Sequence, residues 1–295
     1  MKKKAKILVG LSGGVDSAVA LYLLQKQGYE VEAAFMKNFS EKVNIKGTCP
    51  WKEDRLMAYR VAAQLKVPIQ TFDFEAEYHD KVVNYIFDSY KAGLTPNPDV
   101  LCNNEIKFKL FLDKAMKLGF DKIATGHYAQ VKEDKNGWHL LRGKDPNKDQ
   151  SYFLAGLNQK QLSKAVFPIG DIKKPEVRQI AKQAKLVNAD RKDSQGICFI
   201  GKVDLKIFLQ QKIKPKTGEI VDTKGNVLGE HQGVWYYTIG QRKGLDIGGS
   251  GPWYVVSKDI KNNKLIVGHV DDEALYNKSV QMTDLHWLGK EHKLP

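Results

Sequence analysis

Ser12-Gly13-Gly14-Val15-Asp16-Ser17 is the stretch of this chain best suited to chemistry. It follows the apolar run Lys6–Leu11 and precedes Ala18–Gln25, whose apolar residues recur at helical spacing. A strand, a glycine turn and a helix in that order put unpaired backbone N–H groups at a helix N-terminus, where the dipole also favours an anion. Gly13 and Gly14 permit positive φ and let a phosphate approach the backbone. Asp16 is out of place in such a cradle unless a metal ion or an amine neutralises it. Cysteines are the other candidates. Cys102 follows Thr95-Pro96-Asn97-Pro98-Asp99-Val100-Leu101, where two prolines hold the chain extended. Asn103 and Asn104 are good helix caps, so a helix is expected to start there and run through Phe108, Phe111, Leu112 and Ala115. Cys102 would then lie at a helix N-terminus, a setting that favours the thiolate. The competing reading is a small buried hydrophobe. Cys198 lies in a turn between Gly196 and Gly201. With Cys49 far from both and no CxxC pair, a zinc site is not expected.

These residues need a scaffold. After Gly28 a second strand runs to Met36, a helical pattern covers Asp54 to Lys66, and a third strand covers Val67 to Phe74. The alternation continues to the strand Lys122–Thr125. That is an α/β pattern of a mostly parallel sheet, with ligands expected where the Ser12 loop, Met36 and the Thr125 turn converge. From Asn158 to Pro215 the chain becomes helical and basic, and Pro175 suits the first turn of a helix. From Thr217, short β-rich runs at Val234–Ile239, Trp253–Ser257 and Lys264–Val267 are separated by turns, with Asn262-Asn263 as a hairpin tip. A small antiparallel β-barrel is expected, with Trp235, Tyr236, Tyr237 and Trp253 in its core. The expected domains are thus 1–157, 158–215 and 216–295.

The 295 residues carry 47 Lys and Arg against 34 Asp and Glu, and 42% are hydrophobic. A positive excess spread along the chain is an electrostatic footprint for a polyanion, and beside a nucleotide loop it favours a nucleic acid over a membrane. No apolar run reaches membrane-spanning length, and an odd number of cysteines argues against a disulfide framework, so a cytoplasmic location is expected.

The Ser12 loop is neither GxxxxGK[ST] nor GxGxxG. It resembles the SGGxDS loop of the ATP pyrophosphatases, which split ATP to AMP and pyrophosphate. With two loop cysteines and a basic surface, that suggests sulfur transfer to an activated nucleic-acid oxygen. The series LSGGVDSAVA, FMKN, LTPNPDVLCNNEIKF, ATGHYA, NKDQSYFL, FPIG, KDSQGICFIG and GEHQG…TIGQRKGL resembles the bacterial tRNA-specific 2-thiouridylases, in order, as far as Gly268. The resemblance implies a Rossmann-like nucleotide domain, a small basic helical domain and a β-barrel, shortened relative to the family.

It further implies that ATP is held by Gly10, Leu11, Ser12, Gly13, Gly14, Val15, Asp16, Ser17, Met36 and Gly126, with Mg²⁺ on the phosphates. Cys102 matches the nucleophile, Cys198 the persulfide carrier, and Asp99 an acid/base group. Asn97, Pro98 and Asp99 match the segment that meets the target base, and Lys148, Asp149 and Gln150 a tRNA-contacting segment. The substrate would be the wobble uridine of lysine, glutamate and glutamine tRNAs, and the sulfur donor a cysteine desulfurase or relay protein. His127, after Gly126, is left open between a packed structural role and a functional one, and Cys49 is expected to be structural. Two rivals remain: a synthetase acting on a small metabolite, and a tRNA-binding protein whose loop only senses nucleotide.

Overall fold

The computed structural model describes residues 4–40, 51–193, 204–248 and 251–289. β1 (Lys6–Gly10) is an apolar run whose last four residues are buried, and the glycine turn after it leads into α1 (Val15–Lys26). β2 (Glu30–Lys37), α2 (Trp51–Leu65), β3 (Ile69–Asp73) and β4 (Lys122–Ala124) follow. An antiparallel hairpin, β5 (Ala129–Asp134) with β6 (Gly137–Arg142), precedes the two-residue β7 (Ala165–Val166). β1 to β4 and β7 form one parallel sheet in the order β3-β2-β1-β4-β7. The chain steps outward from β1 to β3 and then returns to the other side of β1. The reversal lies beside the carboxyl ends of β1 and β4, where open sheets of this type bind ligands. The expected α/β nucleotide fold is therefore present.

Alternation along the strands divides the packing. Ile7, Val9, Ala33 and Phe35 share a core with Ala18 and Leu21 of α1, Val61 of α2, and Val177 and Ala181 of the helix Lys174–Gln183. Phe72 of β3 meets the Phe111 ring at 6.0 Å. This sheet belongs to a compact unit made of Met1–Val82, Pro98–Lys202 and His286–Pro295. Residues expected to begin a separate helical stretch supply β7 and the helix Lys174–Gln183 to it, with Pro175 in that helix's first turn as anticipated.

The helix that carries Cys102 starts earlier than expected. It opens at Pro98 as Pro98–Leu101, continues as a π-helical stretch Cys102–Phe111, and ends as Leu112–Lys117. Proline has its φ set for a first helical turn and no N–H to leave unpaired there, so Pro98 starts the helix and Asn103 and Asn104 lie inside it.

The second unit, Val83–Asn97 with Val203–Leu285, holds β8 (Gly218–Asp222), β9 (Val227–His231), β10 (Tyr254–Asp259) and β11 (Lys264–Gly268) in the order β10-β11-β8-β9. Its outer pairs are antiparallel, as anticipated, and β11 runs parallel to β8. Asn263 takes φ +54° at the expected hairpin tip. Val234–Ile239 is not a strand. Gly233 at φ +140° turns the chain into a 3-10 turn, Val234–Tyr236, and the buried Tyr236 hydroxyl donates to the Ile213 carbonyl. Tyr236 and Tyr237 are buried, as expected of core residues.

The helix Gln159–Lys164 has a complete capping box: Gln161 N–H donates to Asn158 Oδ1 at 2.9 Å, and Asn158 N–H donates to Gln161 Oε1 at 2.8 Å. Asn158→Ala is expected to lower stability by about 1 kcal/mol in urea denaturation, without a change in slope.

Candidate active site

The loop after β1 is built to leave donors open. Leu11 N–H still bonds the Ala34 carbonyl at 2.9 Å, and the chain then leaves the sheet. Ser12 N–H donates to Ser17 Oγ at 3.2 Å, and Ser17 Oγ donates to the Gly14 carbonyl at 3.1 Å. Gly13 holds φ +83°, and Gly14 caps α1 with no side-chain hydrogen bond, so no cap side chain takes up the first-turn N–H groups. A Cβ on Gly126 would fall 2.6 Å from Ser17 N and 2.8 Å from the Asp16 carbonyl carbon, so only glycine fits against the helix start. Met36 packs beside Gly10. Gly10 to Ser17, Met36 and Gly126 are thus brought together. Asn38, two residues past Met36, is 1% exposed, and among the described residues its amide oxygen and nitrogen both lack a partner. Glycine backbone, open helix donors and an unmet buried amide fit a nucleotide.

Asp16 is neutralised by an amine, and the amine is the protein's own. Lys174 Nζ donates to both Asp16 oxygens, at 2.7 and 2.8 Å, and the Tyr128 hydroxyl donates to Oδ1 at 2.8 Å. Lys174 also meets Asp193 at 2.8 Å, where Arg178 and, at 3.2 Å, Lys148 converge. Burial pushes the Asp193 carboxyl up, but these three cations outweigh it and bring it down to about 2. Burial, with Asp16 beside it, holds the Tyr128 phenol well above its usual range, so it stays a donor. The Gly13 carbonyl accepts from Asn188 Nδ2 and Arg191 Nη1, both at 3.0 Å, and Arg191 pairs with Asp54. With both oxygens engaged, Asp16 does not fit a direct Mg²⁺ ligand, and no cluster of metal-ligating side chains occurs among the described residues.

Cys102 is 0% exposed at the start of the π-helical stretch, four residues beyond the helix's first residue. The helix-end setting expected for it belongs to Pro98 and Asp99. Asn103 Nδ2 reaches the Phe153 carbonyl at 3.4 Å, tying this helix to the short turn Ser151–Leu154. That turn follows Lys148, Asp149 and Gln150, which are well anchored. Asp149 accepts from Gly143 N–H at 2.9 Å and from the Ser151 hydroxyl at 2.9 Å, and Gln150 Oε1 accepts from Tyr128 N–H at 3.1 Å. Lys148 reaches Asp193, so this segment touches both Tyr128 and the cation cluster beside the loop. Asn97 falls in the second unit and Pro98 and Asp99 in the first. Cys49 and Cys198 lie outside the described residues.

His127 is packed. Its Nδ1 lies 2.7 Å from Thr125 Oγ1, and the Phe108 and Phe167 rings each lie 6.0 Å away. Burial, with Lys107 nearby, pushes its pKa well below the usual value.

A family profile described as the tRNA methyl transferase HUP domain matches residues 5–202, and one described as the tRNA methyl transferase PRC-barrel domain matches 206–269. The "tRNA-specific 2-thiouridylase MnmA" of Shouchella clausii is 50% identical, over 99% of this chain and 81% of that protein. The "tRNA-specific 2-thiouridylase MnmA 1" of Geobacillus kaustophilus is 55% identical, over 97% of this chain and 78% of that protein. The chain belongs to the tRNA-specific 2-thiouridylase family. A solved 4-thiouridine synthetase–RNA complex with bound ATP is 15% identical with a TM-score of 0.41, covering 70% of this chain and 50% of that one.

For this 2-thiouridylase family member, the sequence reading named the loop glycines and Cys102 as candidates but did not name the residues that hold the loop. Tyr128, Lys174, Asn188, Arg191 and Asp193 are far from it in sequence; only the unexplained charge of Asp16 signalled that a cation was required.

Gly126→Ala should force the first turn of α1 outward, with destabilisation of about 1–3 kcal/mol and weaker ATP binding by calorimetry. His127 has a folded pKa below its unfolded one, so its contribution is full above about pH 6.5 and is lost as pH falls below that. The drop in Tm between pH 7 and pH 5 should therefore be smaller in His127→Gln than in the wild type.

Proposed function

We propose that the chain is an ATP-dependent tRNA-uridine 2-sulfurtransferase. The observation that carries this reading is the pyrophosphate-type loop, closed by Gly126 and supported by Lys174, in the same unit as the helix bearing Cys102. Membership of the 2-thiouridylase family supports it, since those relatives are named for that product.

A uracil carbonyl oxygen is a poor leaving group. Attack of the wobble uridine 2-oxygen on the α-phosphorus of ATP forms a C–O–P link and expels pyrophosphate. The terminal sulfur of a Cys198 persulfide then attacks C2, and AMP leaves with the oxygen. The Cys102 thiolate attacks the inner sulfur, so that the S–S electron pair stays with the base as 2-thiouridine and a Cys102–Cys198 disulfide remains. A second order, in which Cys102 first frees sulfide from Cys198, uses the same residues. Asp99 serves as the acid/base group, with Asn97 and Pro98 beside the base. Lys148, Asp149 and Gln150 meet the tRNA, as does the basic stretch 158–215. Mg²⁺, bound with the nucleotide, would supply charge neutralisation on the phosphates. Asn38, with donor and acceptor unmet among the described residues, suits the adenine edge.

The uridine must leave the anticodon stack to reach this site. The substrates are the lysine, glutamate and glutamine tRNAs, the sulfur comes from a cysteine desulfurase or relay protein, and the reaction is cytoplasmic. Among the described residues no helix is long and apolar enough to cross a membrane.

Methyl transfer, the word in the family profiles, would not require pyrophosphate release. Incubation with ATP, Mg²⁺, a sulfide source and bulk tRNA, followed by nucleoside analysis, separates the readings. New 2-thiouridine is expected; a methylated uridine alone overturns the proposal. Cys198→Ser should lose thiolation and keep ATP-dependent adenylation of tRNA, while full thiolation by that variant would remove the persulfide role.

A further inference from the structure

We infer that Lys174 is the polyphosphate-positioning residue of this site: its ammonium, stored between Asp16 and Asp193, is the cation that meets the pyrophosphate end of ATP. The inference rests on the nucleotide reading of the loop and does not depend on what the nucleotide activates.

The geometry points to it in three ways. Lys174 is remote from the loop in sequence, yet its Nζ lies 2.7 and 2.8 Å from the two Asp16 oxygens, inside the first turn of α1. Its side chain is 11% exposed, against 31% for Asp16, so the ammonium is largely withdrawn from solvent beside its carboxylate partners. Its second partner, Asp193, has cations to spare, since Arg178 and Lys148 both bond it. Lys174 can therefore shift toward a phosphate without leaving Asp193 unpaired. The Tyr128 ring lies 5.7 Å from Nζ, within range for an aromatic face to attract the cation.

The charges explain why such a residue is required. Helix dipole and open N–H groups attract phosphate, but Asp16 sits among those donors and repels it. Around Asp16 and Asp193 stand Lys174, Arg178 and Lys148. Without Lys174 the loop carboxylate keeps, among the described residues, the neutral Tyr128 hydroxyl. An ammonium shared by a carboxylate and a phosphate turns that repulsion into a bridge, and its three donors allow both contacts at once.

Calorimetric titration with ATP, pyrophosphate and AMP at fixed Mg²⁺ tests this. Lys174→Met should bind ATP and pyrophosphate about tenfold more weakly and AMP almost unchanged, and Lys174→Arg should recover part of the loss. Because Lys174→Met leaves a carboxylate without its cation, the comparison is repeated in a background that folds without it. Asp16→Asn should bind pyrophosphate about tenfold more tightly than Asp16→Asn combined with Lys174→Met. Equal pyrophosphate affinity in that pair, or a loss for AMP as large as for ATP, overturns the inference and leaves the thiolation proposal standing. Failure of the wild type to bind ATP overturns both.

Discussion

A carboxylate inside a phosphate-binding loop is the constraint around which this unit is arranged. Asp16 occupies the first turn of α1, where helix donors collect negative charge, and an unpaired anion there would compete with the ligand the loop is shaped for. Lys174 resolves the conflict, and its position has to be held. Asp145 does so from behind by accepting the Lys174 N–H at 2.9 Å. The helix Lys174–Gln183 packs on α1 through Val177 and Ala181. The Asn188 and Arg191 contacts to Gly13 come from the segment just after that helix. The late part of the unit is thus a brace for the early part.

Much of the scaffold could be read from the residues because its signals are local. The strand, glycine turn and helix at Lys6–Lys26 follow from apolar spacing, and the first-turn role of Pro175 and the tip at Asn263 follow from backbone preference. Two local signals misled. Asn103 and Asn104 look like caps, but Pro98, with φ already set, starts the helix before they can act. Val234–Ile239 looks like a strand, but Gly233 at φ +140° and the Tyr236–Ile213 bond turn it aside. The ion pair between Asp16 and Lys174 spans 158 positions, and no periodicity reports on a contact of that range.

Cys102 links the fold to the proposed chemistry in a less direct way than a helix end would. It is closed off from solvent and begins a stretch of wider helical turns that runs to Phe111, and such stretches recur at functional sites. In the proposed reaction this thiol would have to be uncovered before it could attack, which would require a local rearrangement at this helix, whereas the glycine loop is already formed.

The bracing of Gly13 by Arg191 carries a consequence for how the chain folds. The hydrogen bond joins residues 178 positions apart, and β7 completes the sheet only at Ala165. The first strand and helix emerge from the ribosome long before the side chains that hold their loop in place. High contact order slows folding and leaves apolar strand edges waiting for partners. The nucleotide loop, first in the chain, is among the last parts of its unit to acquire its final shape.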